Sequence, residues 1–275
     1  MRMNIPGTIS VMTGSSTGKR LVVMVGTHGN ETCGPLMLEE RLSEIEIKRG
    51  EVTFIQGNPK AIQENVRYTE QNLNRMFRSV ETYTEEERSS YEFKRAQELK
   101  PLLAKCDALL DIHSSFTEDT VPFVICEPNS FEIVKQFPFE IISHGFDQIE
   151  PGGTDNFVNQ NGGNGICVEC GYHTDPEAKA RAWESLRDFL IINGAIDGKL
   201  NAPKKQKIIN ANYIYKTKVD FKLVKTFADF EPIAKGVFVG TDGEEKICAP
   251  KDGVIIFARS RQGSKEEAFI VGEVE

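Results

Sequence analysis

Leu21-Val22-Val23-Met24-Val25-Gly26-Thr27-His28-Gly29-Asn30-Glu31 is the stretch from which the fold is read. Five consecutive apolar residues are too many for a strand with one wet face, so residues 21–25 predict a strand buried on both sides. Strands of that kind belong to parallel sheets covered by helices. Gly26 ends the run, and an imidazole and a carboxylate follow within five residues. Ligand-binding groups of α/β proteins gather at the carboxyl ends of parallel strands, which makes this junction the first candidate site.

The flanking sequence repeats the alternation. Pro35 opens a helix with an apolar face of Leu38, Leu42 and Ile45, and Gly50 follows it. Residues 52–55 read as the next strand. Thr84 and Glu87 form a capping box for a helix running towards Cys106, with Pro101 kinking or interrupting it. Residues 108–112, 121–126 and 166–168 read as short apolar strands. Asp175-Pro176 reads as the N-cap and first position of a helix that buries Ala182, Leu186, Phe189 and Leu190 and stops at Asn193-Gly194. This order predicts an α/β protein with a largely parallel sheet flanked by helices. Residues 151–165, rich in Gly, Asn, Thr and Asp, read as a long functional loop.

After Asn201 the texture changes. Residues 202–207 read as a linker. Beyond them, short apolar runs at 213–215, 221–224, 236–239, 254–257 and 268–271 are separated by turn signals such as Thr241-Asp242-Gly243. The expected division is therefore a catalytic domain over 1–202 and a small all-β domain over 203–275.

Composition sets the outer limits. The chain has 275 residues, 39% hydrophobic and 27% charged, as expected of a globular protein of one large or two smaller domains. Its net charge of −8 weighs against a nucleic-acid binder, which needs a basic surface. The charge is uneven: +2 over 203–275 and −10 over 1–202. No apolar run is long enough to span a membrane, and residues 1–16 lack the apolar core of a secretory signal. The six cysteines are too sparse for a disulfide scaffold, and Cys167 and Cys170 read as buried free thiols, since strand residues three apart face opposite ways. A cytoplasmic protein is expected.

Four clusters carry chemistry. His28 and Glu31, three apart after the first strand, can turn to one ion, and imidazole nitrogen with carboxylate oxygen is a zinc donor set. Asp111 and His113 share one face of another strand end, and a carboxylate beside an imidazole fixes its tautomer. His28, Glu31 and His113 would thus make a two-histidine, one-glutamate site with a position left for water. Glu169, at the end of the 166–168 strand, is a candidate to move that water's proton. Arg67, followed by Asn72-Leu73-Asn74-Arg75, offers guanidinium groups suited to carboxylates and oxyanions. His144, His173, Asp155 and Trp183 give no comparable signal.

Taken in order, G-x-H-G-N-E, R-x6-N-R, D-x-H and V-E-C-G resemble the aspartoacylase/succinylglutamate desuccinylase family, a branch of the zinc-carboxypeptidase-like superfamily. The resemblance covers about residues 20–195 and, more loosely, the β-domain after them. It implies a mostly parallel mixed sheet and one zinc ion per chain, held by His28, Glu31 and His113. The implied reaction is hydrolysis of the amide of an N-acylated amino acid, with metal-bound water attacking the carbonyl. Glu169 would be general base and acid, and Arg67 would polarise the carbonyl. Asn74 and Arg75 would grip a substrate carboxylate.

Two departures matter. The family's further arginine before the catalytic glutamate has no counterpart, since residues 152–165 contain no Arg or Lys. The aromatic hydroxyl of the aspartoacylase β-domain is unmatched too, and Arg259-Ser260-Arg261-Gln262-Gly263 occupies the comparable stretch. The partner expected is a small N-acylamino acid or related carboxylate-bearing amide, a neutral or polar one being favoured over N-acetylaspartate, with neither nucleic acid nor membrane, and a homo-oligomer stays open. A carboxypeptidase-like peptidase and a non-catalytic metal- or ligand-binding module are the competing readings.

Overall fold

The computed structural model describes residues 8–118, 120–200 and 202–275. Residues 1–7, part of the segment read for a secretory signal, lie outside the described residues, as does Asn201 at the start of the linker.

The strands in chain order are β1 (Ile9–Thr13), β2 (Ser16–Val25), β3 (Arg49–Gln56), β4 (Ala108–Ser115), β5 (Phe123–Cys126), β6 (Ile141–His144), β7 (Asn164–Tyr172), β8 (Lys207–Lys216), β9 (Phe221–Leu223), β10 (Glu231–Ile233), β11 (Phe238–Asp242), β12 (Glu245–Cys248), β13 (Gly253–Ile256) and β14 (Glu267–Val274). The helices are α1 (Cys33–Arg41), α2 (Pro59–Glu64), α3 (Glu85–Ser89), α4 (Tyr91–Leu103), α5 (Phe131–Val134), α6 (Phe146–Ile149), α7 (Thr154–Gln160) and α8 (Ala178–Ile192). Eleven strands form one mixed sheet in the order β1-β3-β2-β4-β7-β5-β6-β8-β14-β13-β10, and β12-β11-β9 form a second sheet. The four strands β3, β2, β4 and β7 run parallel, and β5 opposes β7.

The unbroken apolar run divides between two cores. Leu21, Val23 and Val25 face α1 and α8, where Met37, Leu38, Leu186 and Phe189 meet them. Val22 and Met24 face α4 through Phe93, Ala96 and Leu99. Each of these fully buried strand side chains contributes about 2 kcal/mol of burial free energy. Further along the sheet, Phe123, Ile125, Ile209 and Ile270 form a core, and Phe221, Val239 and Phe269 form another under the second sheet.

The elements depart from expectation in instructive places. β1 is an unexpected strand that pairs antiparallel with β3. The helix expected from Thr84 to Cys106 is two helices. The capping box is present on α3, and Ser90 then caps α4 by accepting from the Phe93 N–H at 3.2 Å. Pro101 lies inside α4, which runs two residues past it. The long loop expected over 151–165 contains α7, whose buried face is polar: Thr154, Asp155 and Asn156. α8 starts at Ala178, two residues beyond Pro176, and Asp175 accepts the Glu177 N–H at 2.8 Å through one oxygen while its other pairs with Arg181. The strand expected over 121–126 starts at Phe123, after a proline that cannot donate to a ladder. Hydrogen bonding does not stop where the composition changes. β8 pairs in parallel with β6, so strands after residue 203 extend the main sheet.

Candidate active site

Strand register assembles the site. Val25 pairs with Ile112, Ile112 with Val168, and His113 with Glu169, so the carboxyl ends of β2, β4 and β7 lie side by side. Gly26 turns the chain at the end of β2 with a positive φ of 63°. Gly29 then passes so close to α2 that a Cβ would overlap the Ala61 backbone, while its N–H donates to the Arg67 carbonyl at 3.2 Å. That close approach delivers His28 and Glu31 to the strand ends and ties the segment bearing Arg67 beside them.

His28, Glu31 and His113 are brought together, all buried, with donor atoms within 4.8 Å of one another. His28 Nδ1 lies 2.8 Å from Glu31 Oε1, and His113 Nδ1 lies 2.8 Å from Glu31 Oε2. The other ring nitrogens fix the tautomers. His28 Nε2 is 3.0 Å from Asn72 Oδ1, which also accepts the Asn74 N–H and is therefore oxygen. His113 Nε2 is 3.2 Å from Asp111 Oδ2, near enough for the charges to act though not aligned as a hydrogen bond. The Asn72 oxygen by hydrogen bond and the Asp111 carboxylate by its charge favour the proton on Nε2 and leave the Nδ1 lone pairs facing a carboxylate. Lone pairs that converge in this way need a positive charge between them, so the residues fit a divalent cation on the chemistry of their donor set.

The electrostatics agree. Burial, then the Arg67 charge, pushes His28 down to about 4. Burial opposes the charged form of Glu31, yet His28 and His113 hold its carboxyl well below the usual range. Burial likewise opposes protonated His113, but Asp111 and Glu31 raise it well above an ordinary histidine. Asp111 is itself held by the hydroxyls of Thr27 at 2.9 Å and Thr154 at 2.6 Å. The polar face of α7 thus supports the histidine from behind.

Glu169 opens into the same cavity, and its Oε2 is buried with no hydrogen-bond partner. Burial, followed by the Glu31 charge, pushes its carboxyl up to about 8. A carboxyl in that range can both accept and return a proton near neutral pH. Arg67 is partly exposed and donates from Nη1 to Glu31 Oε1 at 3.1 Å, at the edge of the donor cluster.

Arg75, expected to grip a substrate carboxylate, faces the cavity but is committed to the chain's own acids. Its Nε and Nη2 donate to Glu267 at 3.0 and 2.8 Å, its Nη2 lies 2.9 Å from Glu150, and its Nη1 donates to the Asn74 carbonyl. Burial and the adjacent Glu267 push the Glu150 carboxyl up to about 7, despite Arg75. Asn74, expected beside Arg75 in the same role, accepts the Thr154 N–H at 3.2 Å and so anchors the start of α7.

Several contributors were not foreseen. Asn72 was quoted only as part of a motif, and its role appears when the fold brings His28 to it. Glu150 and Glu267 approach Arg75 from 75 and 192 residues away, a pairing that carries no local signal. Asp155 lines the cavity, and burial with the nearby Asp147 pushes it up to about 7. Phe116 and Phe257 add apolar wall, and Arg259, in the arginine-bearing stretch already set against the family's β-domain, lines the cavity from the C-terminal part. His173 stays at the margin, 2.9 Å from the Ser114 hydroxyl. His144 lies apart, paired with Glu275. The described cysteines are all free, with Cys167 and Cys170 buried. No helix among the described residues is long and apolar enough to cross a membrane.

The sequence model of the succinylglutamate desuccinylase/aspartoacylase catalytic domain matches residues 17–184. A probable aspartoacylase of Prochlorococcus marinus (strain MIT 9312) is 33% identical over 107 residues, covering 36% of this chain and 35% of that protein. An N-acyl-aromatic-L-amino acid amidohydrolase (carboxylate-forming) of Rattus norvegicus is 30% identical over 187 residues, covering 61% of this chain and 58% of that one. The matched stretch is thus about a third of the length of the first relative and under two thirds of the second. A succinylglutamate desuccinylase structure from Vibrio cholerae superposes with a TM-score of 0.74 at 21% identity, over 93% of this chain and 81% of that one, a likeness of fold.

Proposed function

The chain belongs to the succinylglutamate desuccinylase/aspartoacylase family, and from that premise we propose that it is a zinc-dependent amidohydrolase of small N-acyl amino acids. The observation that carries this reading is the convergence of His28 Nδ1, Glu31 and His113 Nδ1 beside an unpartnered, high-pKa Glu169 in one cavity. His28, Glu31 and His113 would hold the ion, one per chain, and Asp111 and Asn72 would keep both imidazoles in the ligating tautomer. When bound, a zinc ion there supplies Lewis acidity and lowers the pKa of water.

The chain's own residues do the rest. Glu169 takes a proton on its free Oε2 and returns it to the departing amine, because its carboxyl titrates near the working pH. Arg67 presents its guanidinium at the edge of the donor cluster, where a carbonyl oxygen gains negative charge. Asn74 and Arg75 shape the substrate end of the cavity, Asn74 through α7 and Arg75 through its pairs with Glu150 and Glu267. The division at residue 202/203 assigns these groups to the first part, with Arg259 and Glu267 reaching in from the second.

The test is substrate profiling of the zinc-loaded protein, with Glu169→Gln as control. The expected result is release of free amino acid from one or more N-acyl amino acids. The variant should lose about 10²–10⁴-fold in kcat while binding zinc stoichiometrically. Undiminished turnover in the variant would remove Glu169 from its role. Failure to bind a divalent ion would end the proposal, and cleavage of peptides in preference to acyl amino acids would favour a peptidase.

A further inference from the structure

Among the described residues three guanidinium groups face the cavity, and one of these is uncommitted. Arg67 is turned to Glu31. Arg75 spends its fork on Glu267, Glu150 and a backbone carbonyl. With one shared proton, its cluster with the two glutamates is neutral, and without that proton it is negative. It therefore offers no net positive field to an incoming anion.

Arg259 differs on each count. It follows β13, and its backbone N–H donates to the Ala268 carbonyl at 2.9 Å, which fixes the stem. Its guanidinium lies over the Phe116 ring, 4.4 Å from the centroid. Its Nε is buried without a hydrogen-bond partner, and no carboxylate among the described residues forms an ion pair with it. Burial, then the charges of Arg67 and Arg261, pushes it down to about 9, and the more distant charges of Glu150 and Glu267 offset this only in part. The groove outside the cavity carries Arg78, Lys216, Arg261 and Lys265 beside Glu87 and Glu266, and this surplus of cations draws an anion towards this end. The same cavity wall holds Asp147, Glu150 and Asp155, alongside Phe146 and Ile125. A second carboxylate on the substrate would meet those acids.

We propose that Arg259, in place of Arg75, holds the substrate's carboxylate, and that the site takes N-acyl amino acids with that one carboxylate and an uncharged side chain. The proposal rests on the amidohydrolase reading and narrows it. Arg259 is a binding residue in this scheme, so its loss should appear in KM rather than kcat.

The test compares wild type, Arg259→Gln and Arg259→Lys, each zinc-loaded, on N-acetyl-L-leucine and on N-acetyl-L-leucinol, which lacks the carboxylate. Wild type should prefer the acid. Arg259→Gln should raise KM for the acid at least 30-fold and leave the alcohol unchanged, and Arg259→Lys should recover part of the loss. A structural defect would lower both substrates alike, and an unchanged acid-to-alcohol ratio in Arg259→Gln would overturn the assignment. N-acetyl-L-aspartate should be the poorer substrate, and faster turnover of it than of the leucine compound would overturn the single-carboxylate claim. If wild type cleaves none of these, the amidohydrolase reading fails by itself, and calorimetry still judges Arg259. N-acetyl-L-leucine should then bind wild type and lose at least tenfold in affinity to Arg259→Gln, whereas equal affinity, or no binding to either protein, refutes the anchor.

Discussion

Replacing Glu92 with Gln should loosen the segment that carries Arg67, Asn72, Asn74 and Arg75 while sparing the zinc ligands themselves. Glu92 lies in the first turn of α4 and is fully buried. Its Oε1 accepts from the Thr69 N–H and hydroxyl at 2.8 Å each and from Asn58 Nδ2 at 3.1 Å. Its Oε2 accepts from the Glu70 N–H at 3.2 Å and the Gln71 N–H at 3.0 Å. Successive backbone N–H groups thus wrap one carboxylate just after Arg67 and just before Asn72. Glutamine keeps the first oxygen but sets an NH₂ against the Glu70 and Gln71 donors. Two partly buried N–H groups lose their acceptor at about 1 kcal/mol each, and the loss of charge assistance adds to that.

A net loss of about 3 kcal/mol is expected, or about 5 °C in Tm for a chain of this length. The pH dependence has a definite sign. Burial opposes the charged form, but the Thr69 and Gln71 N–H groups hold the Glu92 carboxyl below its ordinary value. A depressed carboxyl contributes stability that is present above the unfolded-state pKa and lost as pH falls through the folded one. The gap between wild type and Glu92→Gln should therefore close on the acid side of pH 4. Urea denaturation at pH 7 and pH 3.5 gives both numbers, and kcat of the zinc-loaded variant reports the displacement of Arg67. A variant within 0.5 kcal/mol of wild type at pH 7, with unchanged kcat, would refute the claim that this carboxylate organises the segment.

Other expectations follow from the same contacts. Asp111→Asn should weaken zinc binding about 10–100-fold in a chelator competition, because His113 Nε2 loses the charge that fixes its tautomer. Gly29→Ala should leave little folded protein by circular dichroism, since the added Cβ meets the Ala61 backbone, which cannot move without shifting α2. Asp155→Asn should stabilise the metal-free protein at pH 8 and have little effect at pH 4. Burial and then Asp147 raise this carboxyl to about 7, so its ionisation costs stability progressively as pH rises from about 4 to 7. The penalty has an upper bound of roughly 4 kcal/mol, and a variant less stable than wild type at pH 8 would show that the charge is compensated.

What could be read in advance was what announces itself locally. The apolar run at 21–25 betrays a strand covered on both faces because alternate residues enter two cores, leaving no polar position to break it. His28, Glu31, His113 and Glu169 stand out because each follows or ends such a run, and parallel pairing aligns those ends. The helix α7 was taken for a loop because its inward face is Thr154, Asp155 and Asn156, and polar residues look inward only where acceptors await them. Those acceptors, Asp111 and Asn74, stand 43 and 80 residues away. The partners of Arg75 are illegible for the same reason: a guanidinium looks available until Glu267, 192 residues on, is folded against it.

Net charge misleads at this range as well. The −10 and +2 parts read as an acidic catalytic domain with a near-neutral appendage, and the appendage lends the cavity a cation, Arg259, while acids of the first part line the same cavity. At the separations found here, Coulomb energies are set by individual pairs within a few ångströms, while the summed charge is screened over about 8–10 Å of saline. The sign of the substrate is therefore decided by which pairs are already closed. With Arg75 closed onto two glutamates and Arg259 open over Phe116, the carboxylate anchor proposed above passes from one guanidinium to the other, a shift that the sequence motif carrying Arg75 does not register.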